Sequence, residues 1–296
     1  MKGSDKSSYF HVCTDGNSLP WMFQDEKDFI AGVNRIAICC IKVKIKVIAY
    51  VLMDNHVHFL LYGTSTQCTT FINLYKRLTG RWILTRYGIS GHMKLLPTEI
   101  IPIKSMEALL NTIAYIDRNP LIAGYRYMHN EYPWGSSKYI FRNSPSNTPT
   151  ENGSLRKISS ITRRNQRKIF NTKVTFPDNW TISESGIILP ESYLDISTLE
   201  SLFKTPIKYS YFLSKKLEGT IEEEFENAQK LFIPDKELRE NVKNLVQQNH
   251  GDKTITELTI DERITLAKKL KHEYNSPIKQ ISRMLHLDPA ILKKFV

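Results

Sequence analysis

Two histidines stand one residue apart in the segment MDNHVHFLL, residues 53–61. In a β-strand, residues i and i+2 project from the same face, so His56 and His58 are expected to lie side by side. Two neighbouring imidazoles on a rigid strand can bind one divalent cation. The surrounding run is apolar, where two unpaired polar rings would be costly. A His-x-His pair also arises by chance on strand faces, and a pair that binds no metal remains the alternative.

A second group of reactive side chains lies in TIAYIDRNP, residues 112–120. Tyr115 and Asn119 are four residues apart, which places them on one face of a helix. The Asn119 amide oxygen could be a third metal ligand. The Tyr115 phenol could attack phosphorus, leaving a covalent 5′-phosphotyrosine and a free 3′-hydroxyl, while a bound cation offsets the developing charge. Because most of the 14 tyrosines must be structural, an ordinary core helix remains the alternative.

The elements that must position these residues can be read from hydrophobic periodicity. Alternation of apolar and polar residues predicts three strands, at residues 9–14, 42–53 and 56–62. Helical spacing predicts three helices, at residues 25–40, 68–88 and 101–120. Asp54-Asn55 is expected to turn the second strand into the third. Ser105 is expected to cap the third helix, and Asn119-Pro120 to end it, because proline disfavours helix in the preceding residue.

The charge balance of the chain favours a polyanionic partner. The 296 residues carry a formal net charge of +11, with a sequence pI near 9.3, which makes nucleic acid the first candidate. No apolar run reaches the roughly 18 residues of a membrane helix, and the N-terminal residues lack the apolar core of a signal peptide. The four cysteines show no CxxC spacing. We therefore expect reduced thiols, a cytoplasmic location and no membrane partner.

The second half of the chain changes character. We predict a first domain at residues 1–141, a basic linker at 142–168, a segment of unassigned character at 169–230 and a helical domain at 231–296. Ser276-Pro277 and Asp288-Pro289 each mark the start of a short helix after the helix predicted at 259–275. Closely spaced helices joined by a tight turn are typical of a helix-turn-helix unit.

Two sets of basic residues in this half are candidate DNA contacts. The linker contributes Arg163, Arg164, Arg167 and Lys168. The helix-turn-helix contributes Lys279, Arg283, Lys293 and Lys294. The alternatives are a solvated linker and a small helical bundle with a solvated basic face.

Three ordered motifs and the first strand together resemble a known family. AYVLMDNHVHFLL (49–61), YIDRNPLIAGY (115–125) and YPWGSS (132–137) look like the single-tyrosine HUH transposases, most of all the REP-associated tyrosine transposases. The opening YFHVCTDG (9–16) is similar to that family's first strand. The resemblance covers about residues 8–140.

The resemblance implies an α+β fold, a ferredoxin-like α/β sandwich with an antiparallel sheet, which a mostly helical C-terminal region follows. It implies that His56 and His58 are metal ligands, that Asn119 is the third ligand and that Tyr115 is the nucleophile. It further implies Mg²⁺ or Mn²⁺ as cofactor and single-stranded hairpin DNA as substrate. The enzyme would nick and rejoin DNA, as a monomer or a homodimer, with duplex DNA a possible partner of the C-terminal domain.

A rival interpretation belongs to a different class. A protein derived from a transposase could bind DNA as a regulator without cutting it. The feature that separates the two is the intact set His56, His58, Tyr115 and Asn119, since a protein that only binds DNA has no need of all four. A metal-dependent hydrolase is less well supported, because the sequence contains neither HExxH nor a glycine-rich phosphate loop.

Overall fold

The computed structural model describes three stretches of the chain. They are residues 6–142 without 17, 20, 92, 95 and 126, residues 155–214, and residues 235–295 without 275 and 277. The chain divides into two compact units. Unit 1 comprises Met1–Asn119 and Met128–Ser214, and unit 2 comprises Pro120–Tyr127 and Lys215–Val296. Within the described residues, no helix has both the length and the apolar character that a membrane crossing requires.

Unit 1 is built on a four-stranded antiparallel sheet. Its strands are β1 (Ser8–Thr14), β2 (Lys46–Leu52), β3 (Val57–Gly63) and β4 (Thr98–Pro102), in the order β2-β3-β1-β4. The helices that follow β1, β3 and β4 are α1 (Glu26–Val43), α2 (Ser65–Tyr87) and α3 (Met106–Ile122). The expected mixed α and β composition and the antiparallel sheet are confirmed.

One face of the sheet forms the main core with α1 and α2. In β1, Phe10 and Val12 point into this core, whereas His11 and Cys13 are half-buried on the opposite face. This alternation is the signature of a strand with two different environments. In β3 the odd-numbered apolar residues likewise join the core, so that His58 shares the opposite face with His11 and Cys13.

Side-chain caps fix where the first two helices begin and end. The Asp25 carboxylate accepts a hydrogen bond from the Asp28 amide at the start of α1, and Thr64 forms a capping box with Gln67 at the start of α2. Lys44 closes α1 in the left-handed conformation, with φ of 55° and its amide bonded to the Cys40 carbonyl. The strand predicted at 42–53 therefore begins only at Lys46, since residues 42 and 43 complete the helix.

Two further sequence predictions need correction, and one strand was missed. His56 precedes β3 and lies in the turn rather than in the strand. Helix α3 continues through Pro120 to Ile122, because proline biases the residue before it away from helix without forbidding it. Strand β4 at Thr98–Pro102, which pairs with β1 before the helix cap at Ser105, was not predicted.

The YPWGSS motif closes the exposed edge of β2. The Trp134 carbonyl accepts a hydrogen bond from the Leu52 amide at 3.0 Å, and the Ser136 hydroxyl accepts one from the Tyr50 amide at 2.8 Å. The Tyr132 hydroxyl donates to the Leu52 carbonyl at 2.8 Å. Covering the edge in this way protects it from pairing with another chain, so this motif has a structural role.

Residues 155–214 contribute a second small core, which apolar side chains between Ile158 and Ile188 form with Ala37 and Ile38 of α1. The elements are β5 (Arg156–Lys157), α4 (Arg163–Phe170), β6 (Thr181–Ile182), α5 (Ile196–Phe203) and α6 (Pro206–Ser214). Ile158, Phe176 and Ile182 are almost fully buried against Ala37 and Ile38 of α1. The part of the predicted linker from 155 to 168 thus contains a buried residue and most of a helix, while residues 143–154 lie outside the described residues.

The described helices of the C-terminal part of unit 2 are α7 (Asp235–His250), α8 (Ile260–Tyr274), α9 (Ile278–Leu285) and α10 (Pro289–Phe295). Leu270, Ile281, Leu285 and Leu292 are fully buried in a common core. The turn between α9 and α10 is tight, since the Leu287 amide bonds the Ser282 carbonyl at 3.1 Å. The predicted mostly helical C-terminal region is therefore observed in the described residues.

Candidate functional site

His56 is held at the turn between β2 and β3. Its Nδ1 lies 2.8 Å from the Asn55 Oδ1, and the Asn55 amide nitrogen donates to the Gly16 carbonyl at 2.5 Å. A Cβ on residue 16 would lie 3.0 Å from the His56 Nδ1, so glycine at this position lets the loop after β1 approach the imidazole closely. These contacts tie the imidazole of His56 to both neighbouring loops.

His58 lies beside His56, as the sequence spacing predicts. The ring centroids are 5.0 Å apart and the rings are nearly perpendicular, at 88°. His58 is 5% exposed, in the first half of β3, whereas His56 is half-buried. The two imidazoles therefore open onto the same face of the sheet with different access to solvent.

Helix α3 brings the other two predicted residues to the same place. The Asn119 Oδ1 lies 3.4 Å from the His56 Nε2, and the Asn119 amide nitrogen donates to the Tyr115 carbonyl one turn earlier, at 3.1 Å. The Tyr115 ring is 5.4 Å from the His58 ring and perpendicular to it. All four residues singled out from the sequence thus meet at one point, although they come from segments about 60 residues apart.

His11 of β1 is a fifth member of the group, which the sequence analysis missed. Its Nε2 lies 3.0 Å from the His58 Nδ1, and its ring is 5.9 Å from the Tyr115 ring. The alternation of YFHVCT does place His11 and Cys13 on one face of the strand. The sequence alone does not give the register that brings this face against His58, and that register is what makes His11 part of the group.

The half-buried imidazole of His11 and the buried imidazole of His58 both have lowered pKa values, which favours their neutral forms. Burial lowers the pKa of His11 from 6.5 to about 4. The pKa of His58 falls well below its ordinary value, first because of burial and then because of the neighbouring imidazoles of His56 and His11. A neutral imidazole keeps one nitrogen lone pair, so both rings are in the protonation state that binds a cation.

Cys13 stands directly opposite His58 in the register of β1 and β3. One ligand atom each from His11, Cys13 and His58 lie within 4.8 Å of one another. Burial, followed by the nearby carboxylates of Glu99 and Asp15, raises the pKa of the Cys13 thiol to about 11. Without a bound metal, this cysteine is therefore a protonated thiol at neutral pH.

The predicted DNA-contact residues lie elsewhere on the two units. In unit 1, the four basic residues of the 163–168 run are exposed on α4, and Arg163 contacts Gln166 at 2.9 Å and Asp178 at 3.7 Å. In unit 2, Arg283 is half-buried on α9 and Lys294 is exposed on α10. The side chains of Lys279 and Lys293 lie outside the described residues. The DNA-binding role of all eight residues stays a prediction.

Comparisons with known proteins give one weak likeness. No protein-family model matches the chain, and no curated protein matches it. A solved structure of a REP-associated tyrosine transposase bound to a REP hairpin is 12% identical over 47% of this chain and 82% of that chain, with a TM-score of 0.33. A likeness this weak carries no conclusion about function.

Proposed function

We propose that this protein nicks and rejoins single-stranded DNA through a covalent 5′-phosphotyrosine, with Tyr115 as the nucleophile. The observation that carries the proposal is the meeting of Tyr115 and Asn119 of α3 with His56 and His58 at the start of β3. Together they supply a nucleophile for phosphorus and a set of ligands for a cation.

The donor set fits a divalent cation held by His56, His58 and Asn119. The 3.4 Å between the His56 Nε2 and the Asn119 Oδ1 is long for a hydrogen bond. In octahedral coordination, two adjacent ligand atoms that each lie about 2.1 Å from the ion are roughly 3 Å apart. The observed distance is close to this spacing. Nitrogen and oxygen donors of this kind suit Mn²⁺ or Mg²⁺. When bound, the cation would polarise the scissile phosphate and offset its developing negative charge.

His11 acts as a positioning residue for the ligand His58. If the His58 proton is on Nδ1 and is donated to the His11 Nε2, 3.0 Å away, the Nε2 lone pair of His58 is left for the cation. The stacked arrangement of the two rings, with centroids 5.2 Å apart, limits rotation of the His58 imidazole. Both effects would prepare His58 for binding before the cation arrives.

Tyr115 is the nucleophile of the proposed reaction. Its phenol oxygen forms a bond to phosphorus while the bond from phosphorus to the 3′ oxygen breaks, and the phenol proton is transferred, in net terms, to the departing 3′ oxygen. The products are a 5′-phosphotyrosine and a free 3′-hydroxyl. The reverse reaction with another 3′-hydroxyl rejoins the strand, because the phosphotyrosine bond conserves the energy of the cut bond.

The fold and the charge agree with this function. The order β1-α1-β2-β3-α2-β4, with strands arranged β4-β1-β3-β2, supports the ferredoxin-like arrangement that we propose for this domain. The net charge of +11 favours a nucleic-acid substrate. The substrate we propose is a single-stranded hairpin, and α8 to α10 would bind duplex DNA as a helix-turn-helix with the tight α9–α10 turn.

A covalent-adduct assay tests the proposal. The full chain is incubated with Mn²⁺ or Mg²⁺ and a labelled hairpin oligonucleotide taken from the DNA beside its own gene, then run on a denaturing gel. We expect a protein–DNA band that EDTA abolishes. Tyr115→Phe should abolish the band while leaving DNA retention in a native gel unchanged, and His56→Ala should weaken both metal binding and cleavage.

Tyr125→Phe and Tyr127→Phe are matched controls, because these are the next tyrosines along the chain and should keep the band. A band that survives in Tyr115→Phe would show that another tyrosine is the nucleophile. Tight retention of DNA without any adduct would favour the rival function, a DNA-binding regulator that does not cut.

A further inference from the structure

A cluster of three potential metal ligands overlaps the group that contains Tyr115. His11 and Cys13 occupy positions i and i+2 of β1 and therefore share a face, and Cys13 is paired directly with His58 of β3. One ligand atom of each residue lies within 4.8 Å of the other two. His11 and Cys13 are half-buried, and His58 is buried.

We propose that His11, Cys13 and His58 form a binding site for a thiophilic divalent cation, with Zn²⁺ as the best fit. Zinc takes sulfur at about 2.3 Å and imidazole nitrogen at about 2.0–2.1 Å, so ligand atoms around one ion lie within roughly 4 Å of one another. The ligand atoms of the cluster, which lie within 4.8 Å of one another, are spaced only slightly more widely than this. Three protein ligands leave a fourth position for water, as in open zinc sites.

The donor chemistry separates this site from the one proposed for the cation of the cutting reaction. A thiolate with two imidazoles selects zinc and other soft or borderline metals, whereas an amide oxygen in place of the thiolate suits Mg²⁺ or Mn²⁺. Zinc binding releases the Cys13 thiol proton. The hydrogen bond between the His11 Nε2 and the His58 Nδ1 is also lost. The ring that donated its proton to this bond then carries the proton on its other nitrogen, so that both facing nitrogens can bind zinc.

His58 can serve only one of the two sites at a time. A neutral imidazole has a single lone pair, because its other ring nitrogen carries a proton. When His58 binds zinc beside Cys13, it is no longer available as a ligand beside His56 and Asn119. Zinc is therefore an inhibitor that competes with Mn²⁺, a consequence that rests on the proposed function.

Cobalt substitution tests the zinc site without relying on DNA cleavage. The full chain is titrated with Co²⁺, and the thiolate-to-cobalt charge-transfer absorption is followed, with Zn²⁺ added afterwards as competitor. We expect an absorption band that Zn²⁺ removes. Cys13→Ser should eliminate the band. His11→Gln should weaken Co²⁺ binding by more than the roughly 10–100-fold that loss of an outer-shell partner causes.

Two control variants keep the test specific. Cys40→Ser makes the same change at a half-buried cysteine of α1 outside the cluster and should keep the band. His56→Ala should also keep it, because His56 belongs only to the other site. A band that persists in Cys13→Ser, or that disappears in His56→Ala, would overturn the assignment, provided that tryptophan fluorescence shows each variant folded.

The competition is measured by Mn²⁺ binding, followed through the electron paramagnetic resonance signal of the free ion. Stoichiometric Zn²⁺ should release Mn²⁺ from the wild type. Cys13→Ser should need more Zn²⁺ for the same release, because without the thiolate Zn²⁺ can displace Mn²⁺ only at the imidazole and amide ligands. Simultaneous binding of Zn²⁺ and Mn²⁺ would show that the two sites do not compete for His58. If the protein forms no adduct with DNA under any condition, the proposed function fails, and the cobalt titration still decides the zinc site.

Discussion

At the scale of single residues, Asp117 is a buried carboxyl next to the site. Tyr209 donates a hydrogen bond to its Oδ2 at 2.6 Å, and Ser137 lies 2.9 Å from the same tyrosine hydroxyl. Burial raises the pKa of Asp117 from 3.8 to about 7, and the Tyr209 hydrogen bond only partly opposes this. Asp117 is therefore largely protonated in the folded protein at mildly acid pH.

Asp117→Asn should change how stability depends on pH. Between pH 3.8 and about 7 the folded wild type binds more protons at this position than the unfolded chain does, so its stability falls as pH rises. The variant lacks this loss. The free energy of unfolding of the variant, relative to wild type, should therefore rise across this pH range and level off above pH 7. The total rise should be no more than about 4 kcal/mol.

Urea unfolding at several pH values, followed by tryptophan fluorescence, measures this difference. All four tryptophans of the chain (Trp21, Trp82, Trp134 and Trp180) belong to unit 1, so the signal reports that unit alone. Comparison with wild type at each pH cancels the opposite trend from His11, whose lowered pKa makes stability rise with pH between about 4 and 6.5. A difference in unfolding free energy between variant and wild type that does not change with pH would contradict the raised pKa of Asp117.

The residues of the candidate site were predictable only where the evidence is local. The spacing of His56 and His58, and of Tyr115 and Asn119, is visible within a few positions of sequence. Bringing the two pairs together required the resemblance to a known family. His11 and Cys13 depend on the register between β1 and β3, which neither spacing nor periodicity specifies.

At the scale of elements, a buried carboxylate joins the ends of α1 and α2. Asp28 is fully buried and accepts hydrogen bonds from the Trp82 Nε1 at 2.7 Å, the Tyr87 hydroxyl at 2.7 Å and the Arg86 guanidinium at 2.5 Å. Arg86 also binds Asp25, the cap of α1, and its side chain is 25% exposed. These contacts fix the start of α1 against the last turn of α2.

Arg86→Met should destabilise unit 1 by about 2–3 kcal/mol, because it leaves the Asp28 charge buried without its cation, and the partial exposure of Arg86 moderates the loss. Arg81→Met is the matched control, since Arg81 is exposed on the same helix and should cost less than about 0.5 kcal/mol. Urea unfolding with tryptophan fluorescence measures both. An equal loss of unfolding free energy in the two variants would mean that the ion pair between Arg86 and Asp28 does not stabilise unit 1.

The elements were predicted best where one periodicity covers a whole segment, as in β1, α1 and α2. The errors fall at junctions. The Lys-Val-Lys-Ile alternation at 42–45 looked like a strand, but it is the end of a helix closed by the left-handed Lys44. Strand β4 was missed because it lies at the edge of the sheet and is mostly exposed, which weakens its apolar alternation.

At the scale of the whole molecule, the positive charge should govern DNA binding. Each phosphate contact made by a lysine or arginine releases a counterion, so the logarithm of affinity falls linearly with the logarithm of salt concentration. For single-stranded DNA the slope is about −0.7 per contact. Titrations of the labelled hairpin at several salt concentrations therefore count the contacts.

Arg164→Ala with Arg167→Ala should reduce the magnitude of this slope by about 1.4 if both exposed residues of α4 contact phosphate. Lys42→Ala with Arg77→Ala is the matched control, since these residues are also exposed and basic but lie on α1 and α2. We expect the control slope to match the wild type. An unchanged slope in the α4 variant would show that Arg164 and Arg167 do not contact phosphate and are simply solvated.

The overall organisation was less predictable than the site. The linker and unassigned segments proposed for 142–230 include residues 158–188, whose apolar side chains pack a small core against α1. Its apolar residues are scattered between short elements, so no window of sequence shows a strong period. Their burial depends on Ala37 and Ile38, which are more than 100 residues earlier in the chain.

The placement of Tyr115 and Asn119 on one helix, and of both histidines on one hairpin, bears on how such a protein would change over generations. Substitutions that spoil the fit of α3 against the sheet would disable the nucleophile and the amide ligand together. His58 is buried beside His11 on the sheet face, so fewer side chains could replace it without disturbing the packing, and it would be lost more slowly. Among descendants of this chain, the order in which these residues disappear would reveal whether selection has maintained DNA cutting or only a stable scaffold.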